Sequence, residues 1–134
     1  MRIRIGRIIG GAFLVEVLAI LTLTVIVALS GFTDADEAAA YAERIGYLVG
    51  PIAGFVFCFV LGWWVARGLA SGHLMHGLLL GAGAAAIDIA ILVASGAAFE
   101  PVFVISNAGR LAAGALGGWL AGRSVRARVA AKSA

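Results

Sequence analysis

The chain has 134 residues, of which 63% are hydrophobic and only 13% charged, with a formal net charge of +3 and a mean hydropathy of +1.07. Soluble domains run near half apolar and a quarter charged, so this composition excludes a water-soluble globule, a disordered chain and a basic nucleic-acid-binding domain. An integral membrane protein is what is left, and in lipid its 19 glycines point to close helix packing.

A bilayer core needs about 20 mostly apolar residues per helix, and four such runs follow one another: 8–30, 45–66, 74–95 and 101–122. Barrel strands would alternate apolar and polar residues, whereas 18–29 and 87–93 have few polar interruptions. The expected fold is therefore all-α, a four-helix transmembrane bundle forming a single domain over residues 1–134.

The first run follows a basic start and ends in Ala28-Leu29-Ser30 before Gly31, which resembles a cleavable signal. It exceeds the ~7–15 residues of a signal core and is interrupted by Glu16, so it reads as a retained span. Thr33-Asp34-Ala35-Asp36-Glu37 followed by three alanines reads as a capped helix start. A short external helix is expected over 34–44, running into the second span. Its carboxylates lack the ligand number and central glycine of a calcium loop.

The second run carries Gly46, Gly50 and Gly54 at four-residue spacing, with Pro51 among them and the single Cys58 beyond. Proline removes a backbone donor and can kink a helix. The third run opens with His73 and His76 and carries Gly77 and Gly81; the fourth carries Gly114, Gly118 and Gly122, with Gly109, Ala113, Gly117 and Ala121 one step round. Small residues four apart let helices approach closely. The last three spans are thus expected to pack tightest, and the first, with only Gly6 and Gly10 at its entry, to be more peripheral. Two histidines are too few for a metal site, one cysteine makes no intrachain disulfide, and no cofactor or catalytic motif is implied.

Charge orients the bundle, because basic loops stay cytoplasmic. Arg2, Arg4, Arg7, Arg67, Arg123, Arg126, Arg128 and Lys132 fall on one side; Asp34, Asp36, Glu37, Glu43 and Glu100 fall on the other with Arg44. Both termini are expected to be cytoplasmic, in a bacterial inner membrane, with anionic lipid against the basic face. Trp63, Trp64 and Trp119 on the basic side, and Tyr41, Tyr47, Phe99 and Phe103 on the other, populate the two interfaces as aromatic belts do.

Glu16, Asp88 and Arg110 lie within the spans. Each costs about 2.5–3.5 kcal/mol at a helix centre, which makes such residues functional candidates by default. At 1.5 Å per residue Asp88 lies about 10 Å and Arg110 about 13 Å from the outer ends of their spans, nearly level. Asp88 shares a face with Gly81, Ala84 and Ala85, and Arg110 with Asn107, Gly114, Gly117 and Gly118. An ion pair between the third and fourth spans, assisted by Asn107, is expected to fix helix register. Glu16, about 13 Å from the cytoplasmic end of its span, lies too low for Asp88 but within reach of Arg110. It is a surplus carboxyl in the membrane, of the kind proton-coupled transport uses.

The segment Gly10-Gly11-Ala12-Phe13-Leu14-Val15-Glu16-Val17-Leu18 resembles the first helix of the small multidrug resistance transporters. That resemblance implies a proton- and cation-binding role for Glu16. The third span lacks that family's tryptophan-bearing signature and carries Asp88 instead. Over its whole length, with His76-Gly77-Leu78-Leu79-Leu80-Gly81 opening the third span and the glycine-rich stretch from Gly109 to Arg123, the chain resembles uncharacterised small four-span bacterial membrane proteins. Two readings follow. One is a non-enzymatic accessory or assembly component, in a homo-oligomer or larger membrane complex, with no nucleic-acid partner. The other is a proton- or cation-coupled transporter using Glu16.

Overall fold

The computed structural model describes residues 4–96, 98 and 100–132, without the side chains of 126 and 128–132; the interfacial assignments of Arg2, Phe99, Arg126, Arg128 and Lys132 lie outside that part. Four helices follow in order: α1 (Ile5–Leu29), α2 (Ala35–Ala66), α3 (His73–Ala94) and α4 (Pro101–Lys132).

The expected external helix is not a separate element. Asp34 caps α2, its Oδ1 accepting from the Asp36 and Glu37 amides at 2.9 and 3.0 Å, and the helix runs unbroken through Pro51 to Ala66. At 1.5 Å per residue it is about 48 Å long, well beyond a hydrocarbon core of about 30 Å. Its acidic first turns therefore project past the apolar part. Likewise α4 continues from the expected end at Gly122 to Lys132. The α2–α3 connection turns sharply on Gly68 and Gly72, both left-handed with φ of +77° and +76°, a conformation that side-chain-bearing residues avoid.

The helices alternate in direction, so the start of α1, the end of α2, the start of α3 and the end of α4 share one end. That end carries Arg4, Arg7, Arg67 and Arg123 and is the basic end; Asp34, Asp36, Glu37, Glu43 and Glu100 mark the acidic end. Around the bundle the order is α1, α2, α4, α3, with α2 and α3 touching across the short diagonal. Among the described residues, α1 and α4 do not approach each other closely.

Backbone contact is closest where glycines face each other. A methyl built on Gly77 or Gly114 would overlap a carbonyl oxygen of the other, and one on Gly62 would lie 2.7 Å from the Gly114 carbonyl oxygen. On Gly117 it would overlap the Phe59 carbonyl, on Gly118 that of His73, and on Gly81 it would lie 2.5 Å from that of Arg110. Gly122 faces the His73 side chain at 3.3 Å. In contrast, a methyl on Gly50 would meet nothing within 4 Å, and one on Gly46 only Leu23 at 3.8 Å. On α1 it is Gly11, against Leu80 and Val65, that is closely packed, while Gly6 and Gly10 are open.

The interior is small and partly polar, the exterior large and apolar. Ala12, Ala84, Ala113 and Ala121 are buried together with Glu16, His76, Ser106, Asn107 and Arg110, while Phe13, Leu48, Val93 and Ile105 are all more than 60% exposed. Such a surface has no stable place in water. Among the described residues α1, α2 and α3 are long and apolar enough to cross a membrane, which marks a membrane protein. Three of the buried polar residues, Ser106, Asn107 and Arg110, are on α4.

Candidate functional site

The site is the point where all four helices converge on one guanidinium. Arg110, 3% exposed, reaches from α4 into the bundle. Its Nη1 and Nη2 face Asp88 Oδ2 and Oδ1 on α3, each at 3.0 Å. This is the two-pronged geometry that a planar guanidinium matches best. Nη1 also donates to Ser106 Oγ, one helical turn back on α4, at 2.8 Å.

On its other side the guanidinium meets α1. Nη2 donates to Glu16 Oε2 at 3.3 Å, and Nε lies 3.2 Å from Glu16 Oε1. That second contact is close but not aligned as a hydrogen bond, leaving Nε and Oε1 without a directed partner. Helix α2 contributes absence of a side chain. A methyl on Gly54 would sit 2.9 Å from Nε and 3.0 Å from Cζ, so the bare backbone there makes room for the charge. Arg110 thus joins α1 to α4 across the long diagonal, which the two backbones do not bridge.

Asn107 completes the acidic side, its Nδ2 donating to Asp88 Oδ2 and to the Phe103 carbonyl, each at 2.9 Å. With two carboxylates around one guanidinium, the cluster carries a formal charge of −1 when all three are ionised. Its two ends differ. Toward the basic end lies a closed apolar core of Ile8, Ala12, Val15, Cys58, Leu61, Val65, Leu80, Ala84 and Ala113. Toward the acidic end a 470 Å³ cavity is lined by Leu23, Gly46, Tyr47, Leu92, Ser95 and Phe103, among others. Leu92 and Ser95 stand one and two turns from Asp88 on the same face of α3, and the Asp88 side chain keeps 19% of its surface, against 7% for Glu16. None of the cluster side chains lines that cavity; Asn107 instead borders a 450 Å³ apolar hollow between α3 and α4, with Ala85, Ile89, Leu92 and Leu111. At the first cavity, Tyr47 donates to Glu100 Oε1 at 3.1 Å and stacks on Phe103 with ring centres 6.1 Å apart.

Sequence reasoning singled out Glu16, Asp88, Asn107 and Arg110, and the structure brings these four together. It missed Ser106, whose signal is its position four residues before Arg110 on the same helix face, and the role of Gly54 as a seat for the guanidinium. The two histidines do not share a site. His73 Nε2 is 3.0 Å from the Leu69 carbonyl. His76, fully buried, has Nδ1 at 2.8 Å from the Gly72 carbonyl and accepts at Nε2 from the Arg4 amide at 3.3 Å. The neutral Nδ1–H tautomer satisfies both contacts, so His76 ties the first turn of α1 to the start of α3. Among the described residues, no group of three or more His, Cys, Asp or Glu side chains is placed to hold a metal ion.

Comparison with known proteins finds no family model that matches the chain, no similar curated protein and no similar solved structure.

Proposed function

We propose that this chain is a small non-enzymatic protein of the bacterial inner membrane that serves as an accessory or assembly component. All four helices lie in the bilayer, with the basic end cytoplasmic. The inclusion of α4 is supported by the direction of its side chains. Ser106, Asn107 and Arg110 are buried, while Val104, Ile105 and Leu116 are exposed. The orientation is supported by the arginines at one end and the carboxylates at the other. The reading rests on one observation above all: Arg110 is spent internally, bonded to α1 and α3 and seated on α2, above a closed apolar core. A charge so placed fixes the arrangement of four helices. The test is mass analysis of the native complex and its co-purifying proteins in mild detergent. A defined oligomer or partner complex is expected; a lone monomer with Glu16-dependent ion flux would overturn the reading.

A second reading, proton- or cation-coupled transport, is favoured by the surplus carboxyl and by the Asp88 side chain keeping 19% of its surface, against 7% for Glu16. In proteoliposomes Glu16→Gln would then abolish a pH-driven flux. An unchanged flux removes Glu16 from such a mechanism.

A further inference from the structure

At the basic end the arginines are in an unusual electrostatic position. The seven acidic residues of the chain are Glu16, Asp34, Asp36, Glu37, Glu43, Asp88 and Glu100. Five mark the opposite end and two surround Arg110, so none lies near Arg4, Arg7, Arg67 or Arg123. Three of them have tryptophan instead. Arg7 lies over Trp64 at 4.9 Å, Arg67 over Trp63 at 5.1 Å and Arg123 over Trp119 at 4.8 Å from the ring centres. A ring face holds a guanidinium in place without neutralising it.

One of these pairs borders a cavity. A 360 Å³ hollow between the end of α2 and the last turns of α4 is lined by Trp63, Arg67, Gly68, Ala121, Ser124 and Val125. Its floor is firm, because Ala66, Leu69 and Ala121 form a small buried cluster against which Trp63 packs. Arg67 itself is exposed and fixed at the backbone, where it ends α2 with its amide bonded to the Trp63 carbonyl at 2.9 Å. The Ser124 hydroxyl donates to the Leu120 carbonyl, which leaves its oxygen able to accept a further hydrogen bond. The hollow thus offers a planar double donor, an apolar wall of indole, valine and alanine, and one acceptor.

We propose that this hollow binds the phosphate of an anionic phospholipid headgroup, with Arg67 gripping two phosphate oxygens and the Trp63 wall taking the glycerol portion. The guanidinium fork matches phosphate in a way that an ammonium does not. The apolar wall selects a phosphate carried on a greasy body over a free one, and an acceptor beside it suits a hydroxylated headgroup such as glycerol. The assignment rests on the membrane reading above.

The test reconstitutes the full chain and its variants in vesicles of phosphatidylcholine with or without phosphatidylglycerol, then measures retained lipid by native mass spectrometry. Flotation with the vesicles is scored first; a chain that does not float refutes the membrane reading, whereas one that floats but retains both lipids equally refutes only the site. The native chain is expected to retain phosphatidylglycerol preferentially. Arg67→Gln lowers that retention about tenfold, the loss of a hydrogen-bonded contact to a charged group. Arg67→Lys, with its charge kept and its fork lost, falls nearly as far, while Arg123→Gln, outside the hollow, stays near the native value. If Arg67→Lys matches the native chain and Arg123→Gln falls as far as Arg67→Gln, diffuse surface charge replaces the site. Inorganic phosphate added to the detergent-solubilised chain separates the two sources of phosphate. Arg67-dependent binding of phosphate with no preference among lipids overturns the lipid assignment.

Discussion

Replacing Arg110 with leucine removes the guanidinium that faces Asp88 at 3.0 Å and Glu16 at 3.2 Å and leaves two carboxylates in an apolar bundle. The lost Ser106 bond lies within α4 and joins no two helices, so it is a minor part. The larger part is the uncompensated charge, and breaking a buried pair by removing one partner costs about 3–5 kcal/mol. Arg110→Leu is expected to destabilise within that range. Adding Asp88→Leu removes the carboxylate with the two-pronged contact and is expected to restore more than half of the loss. Adding Glu16→Gln as well leaves no ionisable group at the centre and returns stability to within about 1 kcal/mol of the native chain, as buried pairs exchanged for apolar groups often do. Detergent-driven unfolding in mixed micelles, followed by helical circular dichroism, measures each step. If Arg110→Leu costs under about 1 kcal/mol, or if the losses of the single variants simply add, the cluster is not what holds the helices in register.

Other outcomes follow from the same geometry. Gly77→Ala and Gly114→Ala drive a methyl into a facing carbonyl and are expected to cost about 1–3 kcal/mol in the same assay, whereas Gly10→Ala, with open space around it, is expected to be neutral or to stabilise by up to about 1 kcal/mol through helix propensity. Equal effects at the two kinds of site would refute the packing assignment. His76→Phe removes the acceptor of the Arg4 amide and the donor to Gly72, and is expected to speed hydrogen exchange at the first turn of α1 before it affects the centre. Cys58 is fully buried, so a maleimide is expected to label it only after unfolding; rapid labelling of the folded chain would mean that the core toward the basic end is open.

The level of Asp88 and Arg110 could be counted from the sequence because a helix rises uniformly, and two residues at similar depth on small faces have few other places to put their charges. Residue counting also placed Glu16 near Arg110 and too low for Asp88, yet the guanidinium spans the gap and touches both. What counting cannot supply is which glycine meets what. The ladder Gly46, Gly50, Gly54 has one spacing but three environments: beside a leucine, in open space, and beneath a guanidinium. Gly62 continues that ladder beyond Cys58 and lies against Gly114, but the cysteine hides it from a four-residue pattern. Continuity of α2 was likewise beyond local reading, since Pro51 costs one hydrogen bond and the packed helix around it tolerates the loss. That the α4 helix runs to Lys132 follows from no signal that stops it: no glycine or proline occurs after Gly122.

The long diagonal between α1 and α4 gives the fold a temporal order during synthesis. Glu16 and Asp88 precede Arg110 in the chain, so on the membrane reading two acids enter the lipid before their shared counterion is made. Until α4 arrives, the nascent protein carries an excess of acid that nothing else in its spans can neutralise. α4, in turn, has a polar face that lipid alone does not welcome. Its insertion and the completion of the bundle are then one event, and a ribosome stalled between α3 and α4 would leave a recognisably unfinished product for membrane proteases to remove.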